Sequence, residues 1–393
     1  MPFREASVEQ QRAELVASAG GGSVAVAVAE ACRRFGISRQ TGYRWLGRAA
    51  RGEGLADRPS RPRSSPGQTP EEVERAVLAL RDAHPAWGGR TLRHALLAGG
   101  GLDPDEVPAA STITAILGRH GRLRPPEERV RPRVRFEHDA PNALWQVDFM
   151  GHEALAPGAG RVHPLCLLDD HSRFALAVDA CADQRKATVQ GALEAAFRRH
   201  GLPAAILADN GPPWGTSGAG GVTALEAWLL RLGVRLRHGR AYHPQTRGKV
   251  ERFRRAAAAE AFGPAPFPDL AAAQRAFDRF REDYNLRRPH AALDLKTPRT
   301  RYLDSPRSFP DELPEPVFGP DDAVRVVRSQ GSVSFRGTSR FVGTGLAGER
   351  VAVRPTADDG VLAVVYFGAR VATIDLRDGT MEQAGVTQVP EHP

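Results

Sequence analysis

The sequence predicts a chain of four parts: two small helical modules, a mixed α/β core and a terminal all-β module. Three patterns carry this. A helix–turn–helix signature with a glycine at its turn lies near the N-terminus. A central stretch runs three strands in succession and then alternates strands with helices. The C-terminal part alternates short β-rich runs with glycine turns.

The first module covers residues 1–57 and reads as helical, ending in the Pro/Arg/Ser stretch DRPSRPRSSPGQ, of which 58–68 is read as a linker. Within it, VAEACRRF forms a first helix, Gly36 permits the turn and Ile37 anchors it. Ser38 is placed to cap the second helix through its first-turn N–H groups. That helix shows Arg39, Gln40, Thr41 and Arg44 outward, with Tyr43 or Trp45 packed inward. Arginine and glutamine at the start of such a helix reach base edges in the major groove, so these four are the candidate DNA-reading residues. An ordinary αα-hairpin is the plain structural alternative.

The second module, 69–124, opens on Thr69 and Glu72 in capping-box spacing, with Pro70 at the first helical position. EEVERAVLALRDAH then repeats apolar residues at helical intervals, and WGGRTLRHALL with STITAILGRHGRL makes this a second helix–turn–helix or winged-helix-like candidate. A basic linker at 125–136 follows.

In the core, 137–302, ALWQVDF, HPLCLLDD and RFALAVDA predict three strands. KATVQGALEAAFRRHG predicts a helix, AAILADNG a buried strand, VTALEAWLLRLG a helix and VRLRHG a short strand. GKVERFRRAAAAEAF and LAAAQRAFDRFREDYN are the last two helices. Residues 321–376 predict a small β-barrel.

Composition sets the partner class. The net charge is +8, and of the 54 Lys and Arg residues only Lys186, Lys249 and Lys296 are lysine. From Arg231 to Arg255 nine basic residues face one acid, and from Arg119 to Arg135 seven face two. Such clusters are the footprint of a polyanion partner. No run of about eighteen apolar residues predicts a membrane span. The N-terminus lacks a signal-peptide core, and the three scattered cysteines predict reduced thiols in a cytoplasmic protein.

One acid stands in the most basic stretch: Glu251. Strand alternation in ALWQVDF sets Trp145, Val147 and Phe149 on one face and Leu144, Gln146 and Asp148 on the other. An Asp in so apolar a strand is costly to bury unless it is paired or holds a metal. Asp209 ends the strand AILA before an Asn-Gly turn, and strand ends are where such folds place chemistry. Three carboxylates from separate elements can hold two Mg²⁺ or Mn²⁺ about 3.5–4 Å apart for phosphodiester cleavage and transfer. Each acid also has a plain reading: an edge-strand acid at 148, a turn former at 209, and an i,i+4 partner of Arg255 at 251. Asp169 and Asp170 read as turn and capping residues, with one of them able to support the site.

WQVDFMGH, LCLLDDHSRFALA, HGLPAAILADNGPPWG and HGRAYHPQTRGKVERF resemble the integrase-type core of bacterial insertion-sequence transposases, nearest the group numbered four-eighty-one and akin to retroviral integrases. CRRFGISRQTGYRWLGR and HPAWGGRTLR resemble that group's paired helix–turn–helix region. The resemblance implies an RNase-H-like fold and a DDE triad at Asp148, Asp209 and Glu251, all three metal ligands. It implies Mg²⁺-dependent cleavage of double-stranded DNA at the element's terminal inverted repeats, transfer of the freed 3′ ends to target DNA, and a homo-oligomer that pairs two ends. Tyr242, His243, Pro244 and Gln245 would lie by the DNA, and Lys249 and Arg252 would contact phosphate. The chain departs from the group in having 41 residues between Asp209 and Glu251, Arg254 where a His is frequent, and AAAAEA where a lysine-containing helix is frequent. A transposase-derived protein that binds end sequences without cutting is the alternative from another class. A hybrid-cleaving nuclease would share the metal chemistry without needing the helix–turn–helix.

Overall fold

The computed structural model describes residues 7–19, 24–57, 67–123, 137–215, 220–238, 248–263, 265–377, 381–382 and 387–388. The chain divides into two compact units, Met1–Gln68 and Thr69–Pro393.

The first unit holds α1 (Val8–Ser18), α2 (Val24–Arg34) and α3 (Arg39–Ala50). Ser7 and Gln10 cap α1 reciprocally: Gln10 N donates to Ser7 Oγ at 3.2 Å and Ser7 N to Gln10 Oε1 at 2.8 Å. Gly36 takes φ +65° between α2 and α3, and Ser38 Oγ accepts from Thr41 N at 3.2 Å, so the turn and cap form as predicted. Leu15, Ala31 and Trp45 make one small core; Val28 and Cys32 make a second.

The second unit opens with α4 (Glu71–Ala83), α5 (Gly89–Ala98) and α6 (Ala110–Arg119) around Val77, Trp87, Leu92, Ile113, Ile116 and Leu117. The expected capping box at Thr69 does not form. Pro70 is the N-cap, and no side chain bonds the first turn. Thr69 therefore stands one residue too early to reach the free N–H groups, and Glu71, Glu72 and Glu74 face the positive helix end instead.

The core runs β1 (Trp145–Phe149), β2 (Glu153–Ala154), β3 (Arg161–Asp169), β4 (Ala175–Cys181), α7 (Lys186–His200), β5 (Ala205–Ala208), α8 (Ala224–Arg231), β6 (Arg235–His238), α9 (Gly248–Glu260) and α10 (Leu270–Leu286). β3 pairs antiparallel with β1, β2 and β4; β1 pairs parallel with β5, and β5 with β6. Helices cover both faces. α7 and α8 pack on the side of Trp145, Val147, Leu165 and Ile206. α9 and α10 pack on the side of Cys166, Leu168 and Val178 through Val250, Phe253, Phe277 and Tyr284. This is an RNase-H-like mixed sheet, and the alternation expected in β1 is realised: Asp148 lies on the α9 side.

The last module holds β7 (Ala323–Val326), β8 (Ser332–Phe335), β9 (Thr338–Phe341), β10 (Arg350–Pro355), β11 (Val361–Tyr366), β12 (Ala369–Asp375), β13 (Met381–Glu382) and β14 (Thr387–Gln388). The all-β expectation holds, but the strands do not close into the expected barrel among the described residues. They form one sheet ordered β13-β12-β11-β10-β7, with β14 also on β12, and a separate β8–β9 hairpin. Hairpin and sheet share a core that includes Val222, Ala227 and Leu230 of the α/β module. The module is seated there backbone to backbone: Val222 N donates to Val342 O at 3.2 Å and Gly345 N to Val222 O at 3.0 Å. A Cβ on Gly345 would stand 2.1 Å from the Thr223 carbonyl carbon, so only glycine allows this approach.

Among the described residues no helix is long and apolar enough to cross a membrane.

Candidate active site

The parallel pairing of β1 with β5 sets Trp145 opposite Ile206 and Gln146 opposite Leu207. Carried two residues on, that register brings Asp148 abreast of Asp209. Asp148 lies near the end of β1 and pairs with Arg254 of α9, while Asp209 follows the last residue of β5. Glu251 sits in the first turn of α9. It is carried there because Val250, Phe253 and Ala257 bury the helix's apolar stripe against the sheet, which leaves Glu251 on the flank. Gln146, Val147, Asp148, Leu207, Ala208 and Val250 line a small cavity between strands and helix.

Two of the three carboxylates face arginines of α9. Arg254 Nη1 donates to Asp148 Oδ2 at 2.9 Å, in a half-buried pair. Arg255 Nη2 lies 3.5 Å from Glu251 Oε1, the i,i+4 contact that the plain reading of Glu251 anticipated. Asp209 Oδ1 accepts from Gly211 N at 3.2 Å, and its carbonyl faces His238 Nδ1 at 2.9 Å. Among the described residues, the trio of ligand-type side chains with donor atoms all within 4.8 Å of one another is His84, Glu260 and Asp283, not the three acids of the sequence reading. That trio lies where α4–α6 joins α9 and α10, and Arg288 and Arg287 already offset its carboxylates at 3.1 and 3.6 Å.

The residues around Asp148 fit a hard divalent cation. Carboxylate oxygens are the donors such ions take. A guanidinium already neutralises Asp148 where a cation would. Beside it Gln146 Oε1 is buried with no hydrogen-bond partner among the described residues.

Beneath the acids lies a polar network built on Asp170, one of the two acids expected to be able to support the site; its partners Gln146 and Lys249 were not foreseen. Asp170 is fully buried. Its Oδ1 accepts from Gln146 Nε2 at 2.6 Å and pairs with Lys249 Nζ at 2.6 Å; its Oδ2 accepts from His138 N at 2.8 Å. Lys249 therefore anchors the start of α9 to the sheet. Only 11% of its side chain is exposed, and burial lowers its pKa although Asp170 opposes the shift. The phosphate contact expected of Lys249 is not available in this arrangement, because its ammonium is turned inward to Asp170. Asp169 caps the following turn, accepting from Ser172 N at 2.7 Å and Asn142 N at 2.8 Å. One signal was present in the sequence: Gln146 and Asp148 share a strand face, so a second polar side chain was bound for the interior there.

Comparison with known proteins bears on this arrangement. Two family models described as "Integrase core domain" match residues 138–244 and 232–298. A third, "IS481 family transposase, C-terminal domain", matches 322–382. The core is thus similar to integrase core domains, and the terminal module to the C-terminal domain of IS481 family transposases. A "Helix-turn-helix domain" model matches residues 15–63, and a "Homeodomain-like domain" model matches 41–117. The "Insertion element IS407 uncharacterized 31.7 kDa protein" of Burkholderia multivorans is 32% identical over 40% of the chain and 54% of its own length. The chain thus matches about half the length of that relative. The feline leukemia virus Gag-Pol polyprotein is 33% identical over 32% of the chain and 7% of its own length. Among solved structures, a chain of the simian T-cell lymphotropic virus intasome in complex with PP2A regulatory subunit B56 gamma aligns at TM-score 0.37 and 15% identity, over 73% of this chain and 91% of that one. So loose a likeness carries no argument.

The candidate DNA-reading residues sit on α3. Arg39, Gln40 and Arg44 are exposed. Thr41 is half-buried, and its hydroxyl lies 2.9 Å from Ser38 Oγ, so it serves the cap as well. Trp45, not Tyr43, is the inward aromatic: it is buried, while Tyr43 is 49% exposed. Arg12, Arg44 and Arg48 surround the Trp45 ring at 3.9, 5.3 and 4.8 Å from its centroid. In the core module Arg252 is exposed on α9. Tyr242, His243 and Gln245 lie outside the described residues.

Proposed function

We propose that this protein is a DNA transposase: a metal-dependent polynucleotidyl transferase that binds its element's terminal inverted repeats, cleaves phosphodiester bonds and joins the freed 3′ ends to target DNA. One observation carries the reading. The β1–β5 register, continued two residues past its last pair, would set Asp148 abreast of Asp209, and Glu251 lies in the first turn of α9, the helix whose Arg254 reaches Asp148; this supports the reading.

In this reading Asp148, Asp209 and Glu251 hold two Mg²⁺ or Mn²⁺ ions. Bound there, the ions supply Lewis-acid activation of the attacking water or 3′-hydroxyl and neutralise charge on the leaving oxygen. Lys249 and Asp170 fix the start of α9, the turn that carries Glu251 on its exposed flank. Arg252 and the residues Tyr242, His243 and Gln245 bind the DNA near the cut. Arg39, Gln40, Thr41 and Arg44 read the repeat in the major groove. The working form is a homo-oligomer that pairs two element ends, acting on DNA in the bacterial cytoplasm, at the nucleoid.

A second reading has an observation of its own. With Arg254 on Asp148, the acid is already neutralised without metal, which favours a transposase-derived protein that binds repeats and cuts nothing. A cleavage assay separates the two. Purified protein and Glu251→Gln are incubated with labelled terminal-repeat duplex in Mg²⁺, Mn²⁺ or EDTA. Metal-dependent nicking at the repeat end by wild type alone, with repeat binding kept in the variant, is the expected outcome. Tight binding without nicking in either metal favours the silent derivative.

A further inference from the structure

The Arg254–Asp148 contact is not a surface ion pair of the usual kind. It joins the one acid of β1 to a helix 106 residues further on. It lies next to the cavity between β1, β5 and α9. Arg254 Nη1 is held by Asp148, yet its side chain keeps 37% of its surface exposed. The helix that carries it also carries Arg252 and Arg255, both exposed. A guanidinium has five N–H donors in a planar fork, which suits phosphate as well as carboxylate.

We propose that Arg254 is a displaceable counter-ion for Asp148, which leaves this carboxylate for a DNA phosphate and thereby couples DNA binding to divalent-metal binding. The proposal rests on the metal-site reading of Asp148 given above. Two cations cannot share one carboxylate lobe at contact distance without mutual repulsion. Without DNA, Arg254 therefore competes with the divalent ion. With DNA, a phosphate offers the guanidinium an alternative anion, and Asp148 is released to the metal. By linkage the metal raises DNA affinity by the same factor that DNA raises metal affinity. The arrangement keeps the site neutral while no substrate is present and favours metal binding once DNA is bound.

The test is an Mn²⁺ titration of the full chain followed by electron paramagnetic resonance, with and without a random-sequence duplex. Wild type, Arg254→Gln, Arg254→Lys and Asp148→Asn are compared, with Asp148→Asn also placed in the Arg254→Gln background. Sites elsewhere, including His84, Glu260 and Asp283, are removed by subtracting the Asp148→Asn curves. Arg254→Gln is expected to bind Mn²⁺ at the Asp148 site on the order of tenfold more tightly than wild type without DNA, within the span that site–site coupling commonly covers. DNA is expected to tighten wild type by a similar factor and to leave Arg254→Gln unchanged. Arg254→Lys, which keeps the charge but loses the fork, should stay near wild type without DNA and respond less to it. Equal or weaker Mn²⁺ binding by Arg254→Gln, with the Asp148-dependent site present in wild type, overturns the counter-ion role and leaves the metal site standing. A site that Asp148→Asn does not remove in either background overturns the metal reading, and the counter-ion role with it. Circular dichroism in EDTA checks that each variant keeps wild-type helix content, and Arg254→Lys carries the comparison if Arg254→Gln does not.

Discussion

Asp170 illustrates how one residue can organise a site it does not belong to. It is fully buried in a pair with Lys249 at 2.6 Å, and Gln146 and the His138 amide supply the other hydrogen bonds. A buried charge that loses its partner is costly, whereas replacing the whole pair by apolar or neutral groups often is not. Lys249→Met alone should therefore cost about 3–5 kcal/mol of stability. Adding Asp170→Asn should recover much of that loss. Urea denaturation of the single and double variants measures both, and additive losses would mean that the two charges do not depend on each other.

At the scale of elements, helix contacts depend on small residues. Gly42 is buried in α3, and a Cβ there would lie 2.4 Å from Cys32 Sγ on α2. Helix propensity alone favours Gly42→Ala by about 1 kcal/mol. The clash should reverse that sign, for a net loss of about 1–2 kcal/mol by overpacking. Cys32→Ala in the same chain should restore the ordinary alanine gain, and thermal melts of the two singles and the double read it directly. α9 uses the same device. Ala256 and Ala257 are buried against the sheet, which accounts for part of the alanine run that sets this chain apart from the group's usual polar helix.

For the whole molecule, charge is the property to test. The chain is +8, with a basic cluster from Arg231 to Arg255. If phosphates are its partners, affinity for duplex DNA should fall steeply with salt, since each neutralised phosphate contributes about −0.9 to the log–log slope. A slope of roughly −5 or steeper is expected of so basic a chain. Arg44→Ala should weaken binding to terminal-repeat DNA by about 1–3 kcal/mol more than binding to random DNA, the mark of a base contact. A loss equal on both duplexes, seen in fluorescence anisotropy titrations at several salt concentrations, would make Arg44 a phosphate contact.

The sequence by itself determined what depends on neighbours along the chain. The Gly36 turn, the Ser38 cap, the side of β1 that Asp148 takes and the order of strands and helices in the core follow from local sterics and from periodicities of 2 and 3.6 residues. Even locally, a one-residue difference in where α4 begins was enough to remove the capping box expected at Thr69. Tertiary structure decided what depends on which elements meet. Lys249 turns inward because Asp170, 79 residues earlier, is brought beneath it. Arg254 meets Asp148 across 106 residues, and the β1–β5 register, carried two residues on, would set Asp148 abreast of Asp209. Among the described residues the terminal strands form a sheet and a hairpin that share their core with α8. Such partners are set by strand order, register and helix packing, and a side chain's own neighbours in sequence carry no record of them.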